Sequence, residues 1–322
     1  MNQTTKKQHY VWRKYLAPWT NNNSSTGQIV CLRDNKIFTV SLMNVAHENY
    51  FYGTKELSKL ERRIIYEMTV KGVTGRQRKV NEGWINLYCT PFDLADKVVR
   101  LHYSMGLPAD RVKIESNQEF KNWNIEYIEK LHCQIESTGM QYIELIKQND
   151  LGFWKIEKSR DEFSFFLCNQ YFRTKRMRDS LTMVFAKYKA INEDFKEICP
   201  ENMWLPFSLI FASNVGAHVT HDFSAVLLQA EDSCFIVGDQ PVVNTRSTFN
   251  MQTPPDDVEL FYPVTPHTAL LLTTDRKYVS GQTLKIGIYE VAKYNALEVR
   301  ASRELIFSKD RAQLEAFLDV HN

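Results

Sequence analysis

The sequence predicts an α+β fold: a helical middle packed on a mixed or antiparallel sheet formed by N- and C-terminal strands. Three observations carry this. Residues 27–52 and 218–290 are rich in short β-type runs, whereas residues 54–217 place apolar side chains at helical spacing. Residues 291–322 return to the helical pattern. Strands gathered at both ends of a helical middle, instead of alternating with helices, mark the α+β class. A chain of 322 residues could hold two domains or one large one. With no repeat and no low-complexity linker, a single compact unit over 1–322 is expected.

The run Gln8–Trp19 reads as a helix ended by Pro18, with His9 and Arg13 one turn apart on a common face. Two β-rich runs, Gln28–Leu32 and Lys36–Leu42, flank Arg33-Asp34-Asn35 and read as a hairpin. Asn49–Tyr52 is an aromatic pin between the strand layer and the helices. Helical spacing returns over Glu56–Val70, followed by a basic loop at Lys71–Val80. A helix over Pro91–Tyr103 is entered through Thr90-Pro91, with proline in its first turn. Gly106–Val112 is a connection, and Asn122–Gln148 a long helix.

The stretch Asp161–Phe195 contains no Gly or Pro, is apolar around most of its circumference, and reads as the element the chain is organised around. A helix over Trp204–Ala217 follows Pro200. Strands are expected at Thr220–Gln229, Cys234–Val237, Val242–Val243, Leu260–Val264 and Ala269–Thr273, with a surface loop at Thr248–Asp257. A helix over Val291–Arg303, a strand at Leu305–Ser308 and a helix over Asp310–Val320 complete the chain.

Composition is that of a globular protein: 43% hydrophobic, 12% aromatic, 24% charged, net charge +2. The mild charge does not by itself mark a nucleic-acid binder, so attention falls on local basic tracts at Lys59–Arg63, Arg76–Lys79 and Lys175–Arg178. Their clustering in a nearly neutral chain implies acidic residues segregated to other faces. The six cysteines are scattered without a CxxC pair, the pattern of reduced thiols in a cytosolic protein. The first residues have no apolar core of a secretory signal, and no run approaches the roughly 18 apolar residues of a membrane span. A cytoplasmic protein with no membrane partner is expected.

The candidate site begins on the Asp161–Phe195 stretch, where Phe166, Gln170, Arg173 and Met177 share a stripe and Arg176 follows close by. A buried arginine keeps its charge, so Arg173 needs an acidic partner, backbone carbonyls or an anionic ligand. A structural ion pair with Asp239 or Glu48 and a ligand site both satisfy that need. His9 with Arg13 could supply a general acid/base and a phosphate clamp, or merely start and pack a helix. Asp239 follows an apolar strand at a turn stiffened by Pro241, and could orient His9, hold a metal, or bond its own backbone. His218 and His221, three apart on an expected strand, would face opposite sides and could not share an ion. The chain carries no P-loop, GxGxxG, GxSxG or zinc ribbon, which argues against nucleotide triphosphatase, dinucleotide-dependent oxidoreductase and α/β-hydrolase readings.

Several landmarks together resemble a bacterial family, domain of unknown function family 4238. They are Gln8-His9-Tyr10-Val11 with Tyr15-Leu16 and Trp19, then Asn49–Tyr52, then Gln170 with Arg173-Thr174 and Arg178. Phe235–Val242, the Tyr262-Pro263 to Pro266 run and Asn295 follow in family order. This sequence departs from the pattern at Trp12, where the family usually has proline, and at Gly238, where it usually has serine. The resemblance implies a place near bacterial defence and toxin loci, without an activity.

Together these readings lead to a defence effector or toxin acting on RNA or DNA by phosphodiester cleavage. His9, Arg173 and Asp239 are the candidate catalytic residues, and Arg13, Gln170, Arg176 and Arg178 the candidate substrate-binding ones. A divalent metal is one cofactor such a site could use. A non-enzymatic module holding an anionic ligand or a protein partner from the same locus is the alternative.

Overall fold

The computed structural model describes residues 7–318 apart from 109, 111–113, 115 and 116. The expected Gly106–Val112 connection lies partly outside the described residues, as does the Val320 end of the last helix.

The first element is a strand, β1 (Lys7–His9), and the helix expected from Gln8 shrinks to α1 (Arg13–Leu16). Pairing explains the change: β1 runs antiparallel to β4 (His47–Asn49), with Gln8 opposite Glu48 and His9 opposite His47. Between β1 and β4 lie β2 (Gln28–Arg33) and β3 (Lys36–Ser41), the expected hairpin. Its two loop residues, Asp34 (φ 49°) and Asn35 (φ 56°), both adopt the left-handed conformation, as the tight two-residue hairpin loop demands.

α2 (Lys59–Thr69) starts at a capping box, Ser58 with Glu61. α3 (Gly75–Ser104) is one helix of 30 residues. The tract Arg76–Lys79 is therefore its first turn and not a loop, and Pro91 lies inside it instead of opening it. An interior proline loses one backbone bond. The burial of Tyr88, Cys89, Phe92 and Ala95 around Pro91 offsets that loss. α4 (Gln118–Lys147) follows, capped by Asn117.

The stretch expected as one organising helix is two: α5 (Glu157–Phe172) and α6 (Lys175–Ile191). The chain breaks at Arg173-Thr174, and Thr174 Oγ1 caps α6 by accepting the Met177 N–H at 3.3 Å. Only the first half is central. α5 buries Phe163, Phe166, Leu167 and Cys168, whereas Phe185 is the one fully buried residue of α6. The partner of α5 in the core is α7 (Pro200–Asp222), longer than expected and apolar around most of its first turns. At Gly216 the two helices approach so closely that a Cβ would sit 3.3 Å from the Phe165 backbone.

The remaining elements are β5 (Ser224–Ala230), β6 (Val237–Gly238), β7 (Val243–Asn244), β8 (Leu260–Thr265), β9 (Thr268–Thr273), β10 (Thr283–Ile286), α8 (Ile288–Ala301), β11 (Ile306–Ser308) and α9 (Arg311–Glu315). The strand expected from Thr220 begins only at Ser224, so His218 and His221 lie on the last turns of α7. Instead of one sheet the described residues form three: β1-β4, β3-β2-β11-β6, and β10-β5-β9-β8-β7. The fold class stands. β11 inserts between the N-terminal strand β2 and β6, so both ends of the chain share one sheet. β5 pairs in parallel with β10, an unforeseen strand, and antiparallel with β9. Among the described residues no helix is long and apolar enough to cross a membrane.

α4 and α5 meet at Gly139, where a Cβ would collide with the Phe166 ring. Gly139→Ala should therefore destabilise the protein by about 1–3 kcal/mol despite its better helix propensity. Gly83, exposed on α3 with nothing near its missing Cβ, is the control. Gly83→Ala should add about 0.5–1 kcal/mol. Urea unfolding of both variants checks the pair.

Candidate functional site

The break between α5 and α6 leaves Arg173 in the core, only 2% exposed. Its Nη1 stands 2.6 Å from Glu136 Oε1 on α4, and its Nη2 donates to the His9 carbonyl at 3.0 Å. The Nη1 contact is an ion pair and not an aligned hydrogen bond. The guanidinium also lies over the Tyr52 ring, 5.5 Å from its centre. Burial pushes the Glu136 carboxyl above its ordinary value while Arg173 pulls against that shift. The partner of Arg173 is thus Glu136, not Asp239 or Glu48 as the sequence suggested.

Around this pair opens a polar pocket of about 200 Å³, walled by α1, by α4 and by the turn at Arg173. His9, Trp12, Arg13, Lys14, Tyr52, Glu129, His132, Cys133, Glu136 and Arg173 are among the residues that line it. β1 is held above it by the Gln8 side chain. Gln8 Nε2 donates to the Ile125 carbonyl at 3.0 Å and to Glu129 Oε2 at 3.2 Å. Gln8 Oε1 accepts the Tyr52 N–H at 2.7 Å.

Two neutral imidazoles face this space. Burial, then the Arg13 charge, push His9 down to about 4, and its other ring nitrogen is bonded to the Leu42 carbonyl. His132 Nδ1 lies 3.0 Å from Asn169 Oδ1, an acceptor, so the proton sits on Nδ1 and Nε2 carries a lone pair. Burial and the Arg173 charge hold His132 well below the ordinary value. The Nε2 atoms of His9 and His132 are both enclosed without a partner. Buried polar atoms are almost always satisfied, so each of these orphan atoms calls for a ligand or water. Burial also raises the Glu129 carboxyl, although Gln8 pulls it the other way. Among the described residues Arg13 and Lys14 have no carboxylate partner.

The other candidates are placed elsewhere. Gln170 is buried on α5 with its Nε2 unpaired, outside the pocket lining. Arg178 grips Glu48 with two nitrogens, at 2.6 and 3.2 Å, over the Phe51 ring. Against the push of burial, Arg178 and Lys175 hold the Glu48 carboxyl below its ordinary value. Arg176 reaches a different cavity. Asp239 is fully buried and accepts the N–H groups of Arg303, Glu304 and Leu305 at 2.6, 3.0 and 3.2 Å. It ties the loop before β11 and makes no bond to His9, so the expected cluster of His9, Arg173 and Asp239 does not form. His218, on a helix and not a strand, bonds Asp222 at 2.7 Å. Among the described residues no three His, Cys, Asp or Glu side chains are grouped to hold a metal.

Sequence reasoning missed Glu129, His132, Cys133 and Glu136. They stand at i, i+3, i+4 and i+7 on α4, one polar stripe beside the apolar Ile128 and Ile135. That spacing was a usable signal.

Fold and site define a helix-rich α+β protein with an enclosed polar pocket where its N-terminal strand meets the helical core. The chain belongs to the family described as "Protein of unknown function (DUF4238)", whose model matches residues 7–312. No curated protein and no solved structure matches it. The two departures from the family pattern fit locally. Trp12 has φ −67°, the value proline imposes, so the family proline would enter this turn without strain. At Gly238 a side chain would run into Ser302 Oγ, which fills that space and bonds the Glu298 carbonyl at 2.7 Å.

Arg173→Ala strands the buried Glu136 carboxylate and should cost about 3–5 kcal/mol. Replacing both residues by leucine should recover most of that loss, as a thermal-unfolding double-mutant cycle would show. Asp239 answers to pH. Burial pushes its carboxyl up to about 6 from 3.8, with the three N–H bonds pulling back. A raised folded-state value means its stabilising contribution is full below about 3.8 and lost as pH rises through about 6. Asp239→Asn should flatten that fall in stability and cost about 1–3 kcal/mol at neutral pH, where an amide opposes the backbone donors.

Proposed function

We propose that this protein is a cytoplasmic bacterial defence effector or toxin that binds RNA in the His9–Arg13 pocket and cleaves a phosphodiester bond there. The observation that carries the reading is the two enclosed imidazole lone pairs, at His9 and His132, in a pocket also lined by two cations that have no carboxylate partner among the described residues. Arg13 and Lys14 suit a phosphate, and a neutral Nε2 suits a ligand hydroxyl. A substrate with both groups side by side is a ribonucleotide, whose 2′-hydroxyl adjoins its phosphate. In the proposed step His9 takes the 2′-hydroxyl proton, the 2′-oxygen attacks phosphorus, and the 5′-oxygen leaves as a cyclic phosphate forms. Glu129, its carboxyl raised by burial, supplies the proton to the leaving oxygen. The defence or toxin setting rests on the family resemblance.

Arg173 supports this site from behind. Its charge is spent on Glu136 and its Nη2 on the His9 carbonyl, so it positions His9 and does not touch phosphate. That same engagement favours a second reading, a sensor that holds a nucleotide without turnover.

A 5′-hydroxyl RNA trinucleotide and its DNA counterpart distinguish the readings. Built from uridine, whose base does not titrate in acid, it keeps its diester phosphates ionised and its bases neutral across the range, so only the protein titrates. Bound phosphate offsets the Arg13 charge that, after burial, holds His9 near 4, and so raises the His9 value on binding. A raised bound-state value means proton uptake: affinity should climb as pH falls and weaken as pH rises through the bound-state value. Arg13→Ala should weaken binding about tenfold and lower the salt slope by about one. His9→Ala should abolish RNA cleavage while sparing binding. Binding without cleavage selects the sensor. Equal binding of RNA and DNA overturns the hydroxyl assignment, and no binding at low salt overturns the reading.

A further inference from the structure

A second cavity, of about 450 Å³, lies between α6, α7 and the loop 247–258, within the size range of small-molecule sites. Its body is apolar, formed by side chains such as Phe172, Leu181, Val184, Phe207 and Phe211. Its polar groups include Arg176, Ser180, Asn244 and Ser247, and Arg176 with Asn244 and Ser247 also lines the small recess adjoining Gln240. The loop covers it through two contacts. Arg176 Nη2 donates to the Phe249 carbonyl at 2.8 Å, and Ser180 Oγ donates to the Met251 carbonyl.

Arg176 is the unusual member. Its neighbours in the same turn are neutralised, Lys175 by Glu48 and Glu304 and Arg178 by Glu48. Arg176 bonds two backbone carbonyls, those of Phe249 and of Arg300, the latter at 3.3 Å, lies over the Phe249 ring, and has no carboxylate partner among the described residues. Asp239, which bears on it electrostatically, is already committed to the backbone of residues 303–305. A half-buried guanidinium without a counter-ion, beside an otherwise apolar cavity, is the arrangement that recognises an anionic head on an apolar body.

We propose that this cavity binds an amphipathic monoanion, a carboxylate with a medium-length hydrocarbon tail. The carboxylate pairs with Arg176, and the tail lies between α6 and α7 under the 247–258 loop. The cavity shares no lining residue with the His9–Arg13 pocket, so this site stands or falls independently of the reading above.

The test is titration of the full chain with decanoate and with decanol, followed by calorimetry and thermal shift. Decanoate should bind and raise the melting temperature, and decanol should bind at least about tenfold more weakly. Arg176→Gln, which can still bond the Phe249 carbonyl, should erase the preference for decanoate over decanol. Val184→Trp fills the tail channel without touching Arg176 and should abolish binding of both while the protein stays folded. Arg13→Ala should leave decanoate binding unchanged. Equal affinity for the two ligands, binding that survives Val184→Trp, or no binding of either overturns the proposal.

Discussion

The charge that this fold encloses at Arg173 sets where its parts must meet. An arginine in the core must find an anion and acceptors. Here the anion comes from α4, an acceptor from β1, and the aromatic face from Tyr52 just beyond β4. Three segments far apart in sequence are thus fixed to the one point where α5 ends and α6 begins. The break itself belongs to this arrangement. Because the chain leaves α5 at Arg173, the side chain turns toward α4 and β1, and the Arg173 carbonyl faces the Tyr52 hydroxyl at 3.4 Å. A continuous helix would have kept Gln170, Arg173 and Met177 on one stripe. The pocket exists because they are not.

How much of this could be read from residues varies with the range of the interaction involved. The Arg33-Asp34-Asn35 hairpin was legible because its geometry is local: two residues that tolerate positive φ specify the loop. That Arg173 needed a partner was legible from polarity alone. That the partner is Glu136 was not, since α4 carries its acids among ordinary amphipathic spacing and only tertiary packing selects one of them. β1 was illegible for a related reason. Three residues become a strand only against His47–Asn49, which the helical spacing of Gln8–Trp19 does not reveal. Pro91 misled in the opposite direction, because a usual helix-start residue is here tolerated within a helix by the burial around it.

The basic tracts teach the same lesson about charge. Clustered Lys and Arg in a nearly neutral chain suggested a segregated positive face. Much of that charge is instead paired close at hand: Arg62 with Asp93, Arg78 with Glu82, and Lys175 and Arg178 with Glu48. The exposed one of these, Arg78 with Glu82, contributes little to stability, but all of them cancel the long-range field that would steer a polyanion. Counting cations therefore says less than asking which have no counter-ion. Among the described residues Arg13, Lys14 and Arg176 are such cations, and each lines a cavity.

The two cavities differ in how their cations are framed, and the difference sets what each can hold. Arg13 and Lys14 adjoin carboxyls, imidazoles and a thiol, so a ligand there trades hydration for hydrogen bonds on many sides. Arg176 adjoins mostly hydrocarbon, so a ligand there gains from apolar contact and needs polarity at one end only. Both frames follow from the same break in the chain. Arg173, just past the end of α5, closes the polar pocket, and the first turns of α6 open the apolar one. The Arg173-Thr174 step separates the two: Arg173 lines the polar pocket, whereas the apolar cavity is lined from either side of the step, by Phe172 and Arg176 among others. Thr174 fixes that step, since its hydroxyl both caps α6 and donates to Gln240 in the turn after β6.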